Sequence, residues 1–269
     1  MLALGNLAVS AYSHIHLMKP NCLTALNTSL TCPDDETRFN AAFALNKLSM
    51  GGGGLSDEDI DVSDSTSNVA VLGECGCISG LVDVLMTGSP AAQAQAVAVL
   101  RHLALKTENR FLILQANALE PLGKLAEGIT GVGEDAPGSG GTVDREKETL
   151  RELTALTCLL TLSEGLRMPL VASRVLIPMI SLCQHADVEI ARHACGTIAN
   201  IAESKRTHKQ LVSKTVNAIH MSVFLMRSKH LSVHREAARI GKLLSECSIR
   251  RAIIITFECF SVQHADVIG

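Results

Sequence analysis

The sequence predicts an all-α protein built as a solenoid of stacked helical repeats, and three observations support this prediction. Apolar residues make up 47% of the chain, yet only 3% of it is aromatic. The core must therefore be assembled from Leu, Ile, Val and Ala, which suit closely packed helices. The long apolar segments have the period of a helix rather than the alternation of a strand. One short phrase also recurs along the chain.

The recurring phrase consists of a small residue, a Leu or Ile four positions later and another three positions after that. This i, i+4, i+7 spacing places all three side chains on one helix face, with the small residue where a neighbouring helix approaches closely. Four good copies are present: Ala41/Leu45/Leu48, Ala96/Leu100/Leu103, Ala155/Leu159/Leu162 and Ala194/Ile198/Ile201. A truncated copy, Leu4/Leu7, opens the chain, and a weaker one, Ile240/Leu243, closes it.

The last apolar residues of the six copies are 41, 55, 59, 39 and 42 residues apart, and two insertions account for the long steps. The first, residues 51–68, combines four Gly with an acidic and Ser-rich run, and the second, residues 128–146, is rich in Gly. Neither segment carries enough apolar surface to offset its chain entropy. We therefore expect two flexible surface loops that are dispensable for folding, inserted into a repeat of about 40 residues.

A second helical stretch follows the phrase within each period, as in residues 69–86 and 109–126. Gly76 and Asn117 fall at matching points of these stretches, and both residue types tolerate a positive φ, which indicates a turn there. The repeat is therefore predicted to hold one short helix and two longer ones. The segment Ile253–Thr256 has strand propensity but occupies a helical position in the repeat.

These residues resemble the armadillo repeat family. The best matches are Leu4–Ala8 (LGNLA), Ala96–Ala104 (AVAVLRHLA) and Ala194–Ala202 (ACGTIANIA). The resemblance covers nearly the whole chain and implies one right-handed α-solenoid over residues 1–269, with about six repeats of which the terminal ones are partial. HEAT repeats have a similar length and remain the alternative.

The resemblance also implies a partner-binding row, because armadillo proteins bind peptides along a concave groove. The residue just before the last apolar position of each phrase faces the partner in some members. By register these residues are Asn6, Lys47, His102, Thr161, Asn200 and Lys242. The row is entirely polar, and its two Lys favour an extended partner with some negative charge. Ordinary solvation of a helix surface is the competing interpretation.

Importin-α resembles this architecture but reads basic peptides with Trp residues four positions before such Asn positions. The chain contains no Trp. The corresponding residues are Leu2, Phe43, Ala98, Thr157, Gly196 and Ala238. Reading of nuclear-import cargo is therefore not expected.

Composition argues against several other classes of function. The formal net charge of −3 does not supply the basic field of a nucleic-acid-binding protein. Apolar runs such as residues 170–182 are too short for a membrane span and are interrupted by Arg174 and Pro178. Nine Cys, an odd number without a regular framework, favour a reducing compartment. We expect a cytoplasmic protein, with association to the nucleus or a membrane through partners left open.

Neither a metal site nor a nucleotide site is predicted. The acidic run from Asp57 resembles the start of an EF-hand, but Val62 and Asn68 stand where Gly and a bidentate Glu are needed. The glycines at 133–141 lack the Lys and the Ser or Thr of a phosphate-binding loop. The pairs Cys75/Cys77, His14/His16 and His193/Cys195 are candidate metal or thiol sites, but no second pair lies at the spacing of a zinc site, and a structural role is predicted for the cysteines.

The sequence therefore predicts a scaffold or adaptor, similar to the vacuolar armadillo adaptors and β-catenin-like scaffolds, that binds a protein or peptide. No catalytic residue, cofactor or small-molecule substrate is expected. The alternative is a structural or regulatory segment of a larger armadillo protein whose binding surface lies in other repeats. The apolar ends of the chain, Met1–Leu4 and Ile253–Ile255, lead us to expect a fragment of a longer solenoid.

Overall fold

The computed structural model describes residues 1–51, 62–131, 140–213 and 215–245, and within these ranges it contains helices and no strand. The α-helices are α1 (Leu2–Ala8), α2 (Ala11–Leu17), α3 (Pro20–Leu30), α4 (Asp35–Ser49), α5 (Val62–Glu74), α6 (Cys77–Thr87), α7 (Pro90–Leu103), α8 (Thr107–Gln115), α9 (Leu119–Gly131), α10 (Gly140–Thr161), α11 (Glu164–Ala172), α12 (Leu176–Leu182), α13 (Val188–Ala202), α14 (His208–Leu211), α15 (Ala218–Leu225) and α16 (Leu231–Ser245). A 3-10 turn, Lys205–Thr207, precedes α14.

The helices form five units of three, α2–α4, α5–α7, α8–α10, α11–α13 and α14–α16, and α1 stands at the third-helix position before the first unit. The third helix of each unit packs against the third helix of the next, so that α1, α4, α7, α10, α13 and α16 form one continuous layer. The predicted phrase lies in these third helices. The predicted all-α solenoid is confirmed.

The core runs the length of this layer, because the third helix of each unit packs on the second helix of the same unit and on the third helices of its neighbours. Leu45, Leu100 and Ile198, from three of the four good copies of the phrase, are each 0% exposed. Small residues beside them, including Ala41, Ala96 and Ala194, are also 0% exposed and allow the close helix approach that the phrase predicts.

The turn between the first and second helices of a unit confirms the prediction for Gly76 and Asn117. Gly76 has φ 81° and Asn117 has φ 59°. Asn217, which the sequence reading did not single out, has φ 45° at the equivalent turn before α15. Gly and Asn enter this left-handed region more easily than other residues, and the turn redirects the chain from one helix to the next.

The two predicted insertions are shorter than their predicted bounds. Residues 62–68 belong to α5, and residues 128–131 and 140–146 belong to α9 and α10. Glu, Lys and Arg dominate residues 145–148, and their high helix propensity outweighs the glycine content of the surrounding segment. The remaining parts of the predicted loops, 52–61 and 132–139, lie outside the described residues, as does Ile253–Thr256.

The phrase register predicted for α10 is wrong. Leu162, predicted to be buried, is 52% exposed, whereas Leu160 is 1% exposed. A repeated hydrogen bond fixes the true register: Nε of Arg110 donates to the carbonyl oxygen of Ala104 at 2.7 Å, and Nε of Arg167 donates to that of Thr161 at 3.1 Å. Each donor lies six residues after its acceptor, so Thr161 is equivalent to Ala104, and Leu160 to Leu103.

The register of the last copy, in α16, is displaced by one residue. Leu244 is 0% exposed, while Leu243 is only partly buried. Nδ1 of His234 bonds the carbonyl oxygen of Met226, and Nε2 of Gln93 donates to that of Leu85, each across eight residues. These matching bonds make Leu244, rather than Leu243, the equivalent of Ile201.

No single described helix is both long and apolar enough to cross a bilayer. Two pairs of consecutive helices reach the required length and composition only together, and they are bent by 78° (Asn68–Glu74 with Cys77–Thr87) and 94° (Glu164–Ala172 with Leu176–Leu182).

Candidate partner-binding face

The candidate site is the open face of the layer of third helices, and the predicted row lies at different depths along it. Asn6 and Lys242 are exposed, and Lys47 is partly buried. His102 (9% exposed) and Asn200 (4%) are largely buried, and Thr161 (0%) is fully buried.

Thr161 is not available to a partner. Its hydroxyl donates to the carbonyl oxygen of Cys158 at 2.6 Å and accepts from Nδ2 of Asn200 at 3.1 Å. The error follows from the shifted register of α10, which places Leu159 at the row position and Thr161 inside the stack. Asn200 therefore joins α13 to α10, and its side-chain amide is occupied by the protein itself.

His102 also serves the interior of the layer. Its Nδ1 lies 2.8 Å from the hydroxyl of Ser49 on α4, and its Nε2 lies 2.8 Å from the guanidinium of Arg101. Since Arg101 is only a donor, Nε2 accepts and Nδ1 carries the proton. Burial, followed by the nearby charges of Arg101 and Lys47, lowers the pKa of His102 to about 4. The ring is therefore neutral at physiological pH and orients Arg101.

A groove of about 380 Å³ lies on this face between α4, α7 and α10. Polar and charged side chains from all three helices line it, together with the small residues Ala94 and Ala98 and with Met50. The polar and charged lining residues are Asn46, Lys47, Gln95, Arg101, His102, Arg145, Glu148, Thr149 and Glu152. The sequence reading identified only Lys47 and His102 among them.

Two side-chain pairs cross the groove in the same way. Nδ2 of Asn46 donates to Oε1 of Gln95 at 2.9 Å, and Arg101 forms an ion pair with Glu152. Asn46 and Arg101 each lie two residues before the last buried Leu of their helix, while Gln95 and Glu152 each lie eight residues before theirs. The same pair of positions therefore bridges α4 to α7 and then α7 to α10.

The charge of the groove is set by three cations and two carboxylates. Lys47, Arg101 and Arg145 face Glu148 and Glu152, which leaves the groove one positive charge in excess. Burial raises the pKa of Glu152, and the Arg101 guanidinium opposes that shift. The ammonium of Lys47 lies 5.3 Å from the centroid of the Phe43 ring, within the range of a cation–π contact.

The layer continues across α13 and α16, and ion pairs again join neighbouring helices there. Arg239 on α16 and Arg167 on α11 both form ion pairs with Glu203, which follows α13. Burial and the charge of Arg192 lower the pKa of His193 to about 4, so this ring is also neutral at physiological pH. A Cβ at Gly196 would lie 3.1 Å from Sγ of Cys158, so the glycine permits a close approach of α13 to α10.

The side chains considered as metal or thiol sites are largely occupied within the fold. Nε2 of His14 bonds the carbonyl oxygen of Ala8 at 2.8 Å, and Cys195 is 0% exposed. In the part of the chain that the structure describes, no group of three His, Cys, Asp or Glu side chains is arranged to hold a metal ion. Residues 57–61 of the acidic run and 133–139 of the glycine run lie outside the described residues.

Comparison with known proteins relates the chain to armadillo repeats through structure. No protein-family model matches the sequence, and no curated protein sequence matches it significantly. A designed armadillo repeat protein is 22% identical with a TM-score of 0.68, covering 90% of this chain and 91% of that one. A designed armadillo repeat protein in complex with the peptide (KR)4 is 20% identical with a TM-score of 0.67, covering 90% of each chain.

Another solved structure, of computationally designed armadillo repeat proteins for modular peptide recognition, is 22% identical with a TM-score of 0.69 and 90% coverage of each chain. These identities are low, so the comparison bears on the fold alone. The five three-helix units, the continuous layer of third helices and these structural neighbours together show that the chain has the armadillo repeat fold.

Proposed function

We propose that this protein is a non-enzymatic scaffold that binds an extended segment of a partner protein along the open face of its third helices. The observation that carries the proposal is the groove between α4, α7 and α10, where charged side chains of three successive units converge. Two solved neighbours of the same fold, described as peptide-bound or designed for peptide recognition, support a partner of this kind.

The repeated pairing across the groove favours an extended ligand over a compact one. Asn46 with Gln95 and Arg101 with Glu152 place equivalent polar pairs at successive steps of the layer. An extended chain presents backbone donors and acceptors at a regular interval, which suits a surface that repeats from unit to unit. Gln95 and the amide of Asn46 supply neutral groups for such contacts.

The charges in the groove favour a partner segment with acidic residues. Arg101 is already paired with Glu152, whereas Arg145 is exposed and Lys47 contacts only an aromatic ring among the interactions described for it. A partner carboxylate can therefore pair with Lys47 or Arg145 without displacing Glu152 from its ion pair with Arg101. Because His102 is neutral, it adds no charge to this balance.

Fluorescence anisotropy with three synthetic peptides of equal length tests the proposal, one rich in Glu, one rich in Lys and Arg, and one neutral. We expect the acidic peptide to bind most tightly and its affinity to fall with added salt. Lys47→Ala and Arg145→Ala should each weaken binding up to about fivefold, since exposed ion pairs contribute roughly 0.2–1 kcal/mol.

Lys209→Ala is the matched control, because Lys209 is an exposed lysine on α14, away from the groove. It should leave the affinity unchanged. Tighter binding of the basic peptide would contradict the expected partner charge. Equal effects of Lys47→Ala and Lys209→Ala, or no binding of any peptide, would reject the groove and favour a structural role within a larger assembly.

A further inference from the structure

The turn between α5 and α6 brings two thiols together. Gly76, with φ 81°, separates Cys75 from Cys77, and the two helices meet there at a bend of 78°. Both sulfurs lie beside the same atom, the carbonyl oxygen of Leu72, which is 3.1 Å from Sγ of Cys75 and 3.0 Å from Sγ of Cys77. Sharing one carbonyl oxygen holds the two side chains on the same side of the turn.

The two thiols differ in exposure and in their surroundings. Cys75 is half-buried and accessible from solvent, whereas Cys77 is 1% exposed. Nδ2 of Asn27, on α3 of the preceding unit, donates to the carbonyl oxygen of Cys75 at 2.7 Å and lies 3.7 Å from its sulfur. An N–H group at that position stabilises negative charge on Cys75.

These contacts make Cys75 the more acidic thiol of the pair. Hydrogen bonding from the Cys77 thiol, supported by Asn27 and by the backbone amide of Cys77, lowers the pKa of Cys75 to about 6 despite its partial burial. The pKa of Cys77 is raised well above its ordinary value, chiefly by its hydrogen bond with Cys75 and next by its burial. At neutral pH, Cys75 is therefore mainly a thiolate and Cys77 a thiol.

We propose that Cys75 and Cys77 are a redox-active pair that a low-molecular-weight disulfide, such as glutathione disulfide, oxidises to an intramolecular disulfide. The exposed thiol, the buried partner beside it and the glycine turn that joins them provide an attacking group and a resolving group within one short segment. The order of attack follows from exposure, because only Cys75 is accessible to an external disulfide.

The oxidation takes two exchange steps. The Cys75 thiolate attacks one sulfur of glutathione disulfide, which forms a mixed disulfide at Cys75 and releases a glutathione thiolate that takes up a proton from water. Cys77 then gives its proton to water and attacks the sulfur of Cys75, which releases the second glutathione thiolate. This second glutathione thiolate also takes up a proton from water. Starting from the Cys75 thiolate, the protein loses two electrons and the proton of Cys77, and one glutathione disulfide is reduced to two molecules of glutathione, with the other proton supplied by water.

The first step also favours the second. The pKa of Cys77 is raised chiefly by its hydrogen bond with Cys75 and by burial, with a further contribution from the charge on Cys75. Once the sulfur of Cys75 is bonded to glutathione, it is neutral and no longer holds the proton of Cys77. The pKa of Cys77 therefore falls when its thiolate is needed.

Other described cysteines lack this combination. Cys183 and Cys195 are adjacent, with Sγ of Cys195 3.9 Å from the carbonyl oxygen of Cys183, but both are 0% exposed. Burial raises the pKa of Cys183 and of the half-buried Cys158. Cys22 and Cys32 are about as exposed as Cys75, but no hydrogen bond from another thiol is described for either of them. They are therefore the internal controls.

The test treats the reduced full-length protein with glutathione disulfide at pH 7 and maps each cysteine by peptide mass spectrometry. In the wild-type protein we expect the peptide that contains Cys75 and Cys77 to lose two hydrogen atoms. In Cys77→Ser we expect a stable mixed disulfide with glutathione at Cys75. In Cys75→Ser we expect Cys77 to stay reduced. A wild-type protein that keeps the mixed disulfide, or that stays reduced at Cys75, would overturn the proposal.

A second measurement needs no substitution and so does not depend on the folding of a variant. The rate of alkylation of each cysteine of the wild-type protein by iodoacetamide is followed between pH 5 and 9. The rate at Cys75 should reach its plateau near neutral pH, because the pKa of Cys75 is lowered to about 6. If Cys75 followed the same profile as Cys22 and Cys32, the pair would not be activated and the proposal would fail.

Discussion

Arg110 closes the C-terminus of α7 by donating from Nε to the carbonyl oxygen of Ala104 at 2.7 Å. The last carbonyl groups of a helix have no partner within the helix, so such a bond satisfies a group that would otherwise be unpaired. The bond recurs one unit later between Arg167 and Thr161, and Thr207 and His208 bond the carbonyl oxygens of Ile201 and Ala202 in the same manner. The first helix of each of these units therefore caps the third helix of the unit before it.

Arg110→Ala should destabilise the protein by about 1–2 kcal/mol, because it leaves the carbonyl of Ala104 without its side-chain donor. Nη2 of Arg110 also donates to the carbonyl oxygen of Leu105, and Nη1 to the hydroxyl of Ser163, at 3.3 Å each. Chemical denaturation followed by circular dichroism at 222 nm measures the change. Arg206→Ala, an exposed arginine with no such bond described, is the control and should have little effect. Equal losses for the two variants would contradict the capping role.

Asp187 should stabilise α13 through both its hydrogen bonds and its charge. Its Oδ1 accepts from the backbone amides of Glu189 and Ile190 at 3.1 and 3.3 Å, and its Oδ2 pairs with Arg151 at 2.7 Å and Lys147 at 3.1 Å. Asp187→Ala should cost about 1 kcal/mol for the helix cap alone. Asp187→Asn keeps a capping oxygen and should lose less. Urea denaturation at pH 7 would contradict this order if the Asn variant were the less stable.

The pH dependence of the Asp187 variants follows from the direction of its pKa shift. Hydrogen bonding from Arg151 is the largest cause that lowers the pKa of this carboxyl below its ordinary 3.8. The stabilisation is therefore fully present above pH 3.8 and is lost as the pH falls toward the lower folded pKa. The stability difference between wild type and Asp187→Asn should shrink below pH 4. A difference that stayed constant between pH 7 and 3 would show that the charge contributes nothing.

The sequence was sufficient to predict the solenoid because its signals come from apolar periodicity and from backbone conformation. Leu45, Leu100 and Ile198 mark the buried face, and Gly76 and Asn117 mark turns that need a positive φ. Both signals depend only on one residue and its near neighbours along the chain. They can therefore be recognised in the sequence without knowing how the repeats stack.

The register of α10 was not predictable from apolar pattern because this helix buries threonines. Thr154, Thr157 and Thr161 are each 0% exposed, and each hydroxyl donates to a backbone carbonyl oxygen within its own helix. A threonine that satisfies its own hydroxyl in this way packs like an apolar residue. The apolar residues Leu159 and Leu162 were instead taken for the buried face, and the site position assigned to this helix was displaced with them.

The groove lining was largely missed because it depends on contacts between units. Arg101 and Glu152 lie 51 residues apart and meet only when α7 packs against α10. One signal in the sequence could have located these lining residues. Asn46 and Arg101 are at equivalent positions, each two residues before the last buried leucine of its helix. The predicted partner-binding row instead takes the position that follows Asn46 and Arg101 in each third helix. At that position His102 and Asn200 bond neighbouring helices.

Asn200→Ala should therefore affect stability more than partner binding. It removes the donor to Thr161 Oγ1 at 3.1 Å from a side chain that is 4% exposed, so we expect a loss of about 1–2 kcal/mol. Asn6→Ala is the matched control, since Asn6 is an exposed asparagine on α1 and should change stability by less than about 0.5 kcal/mol. Differential scanning calorimetry of both variants compares them. An unchanged stability of Asn200→Ala would show that the inter-helix bond contributes little and would return Asn200 to the candidate contacts.

His102, which is buried, and His193, which is partly buried, should make the protein lose stability in mild acid. The pKa values of His102 and His193 are both lowered to about 4, chiefly by burial, from an ordinary value of 6.5. Between these values the unfolded chain binds more protons than the folded one, so stability is full above pH 6.5 and falls as the pH decreases toward 4. Urea denaturation midpoints at intervals between pH 7.5 and 4 measure this slope.

His102→Leu removes one titrating group and places an apolar side chain in the site. It should flatten the dependence of stability on pH even where its stability at pH 7.5 is lower. A slope that His102→Leu leaves unchanged would mean that the ring does not resist protonation in the folded chain, and the assignment of a neutral His102 that orients Arg101 would be wrong.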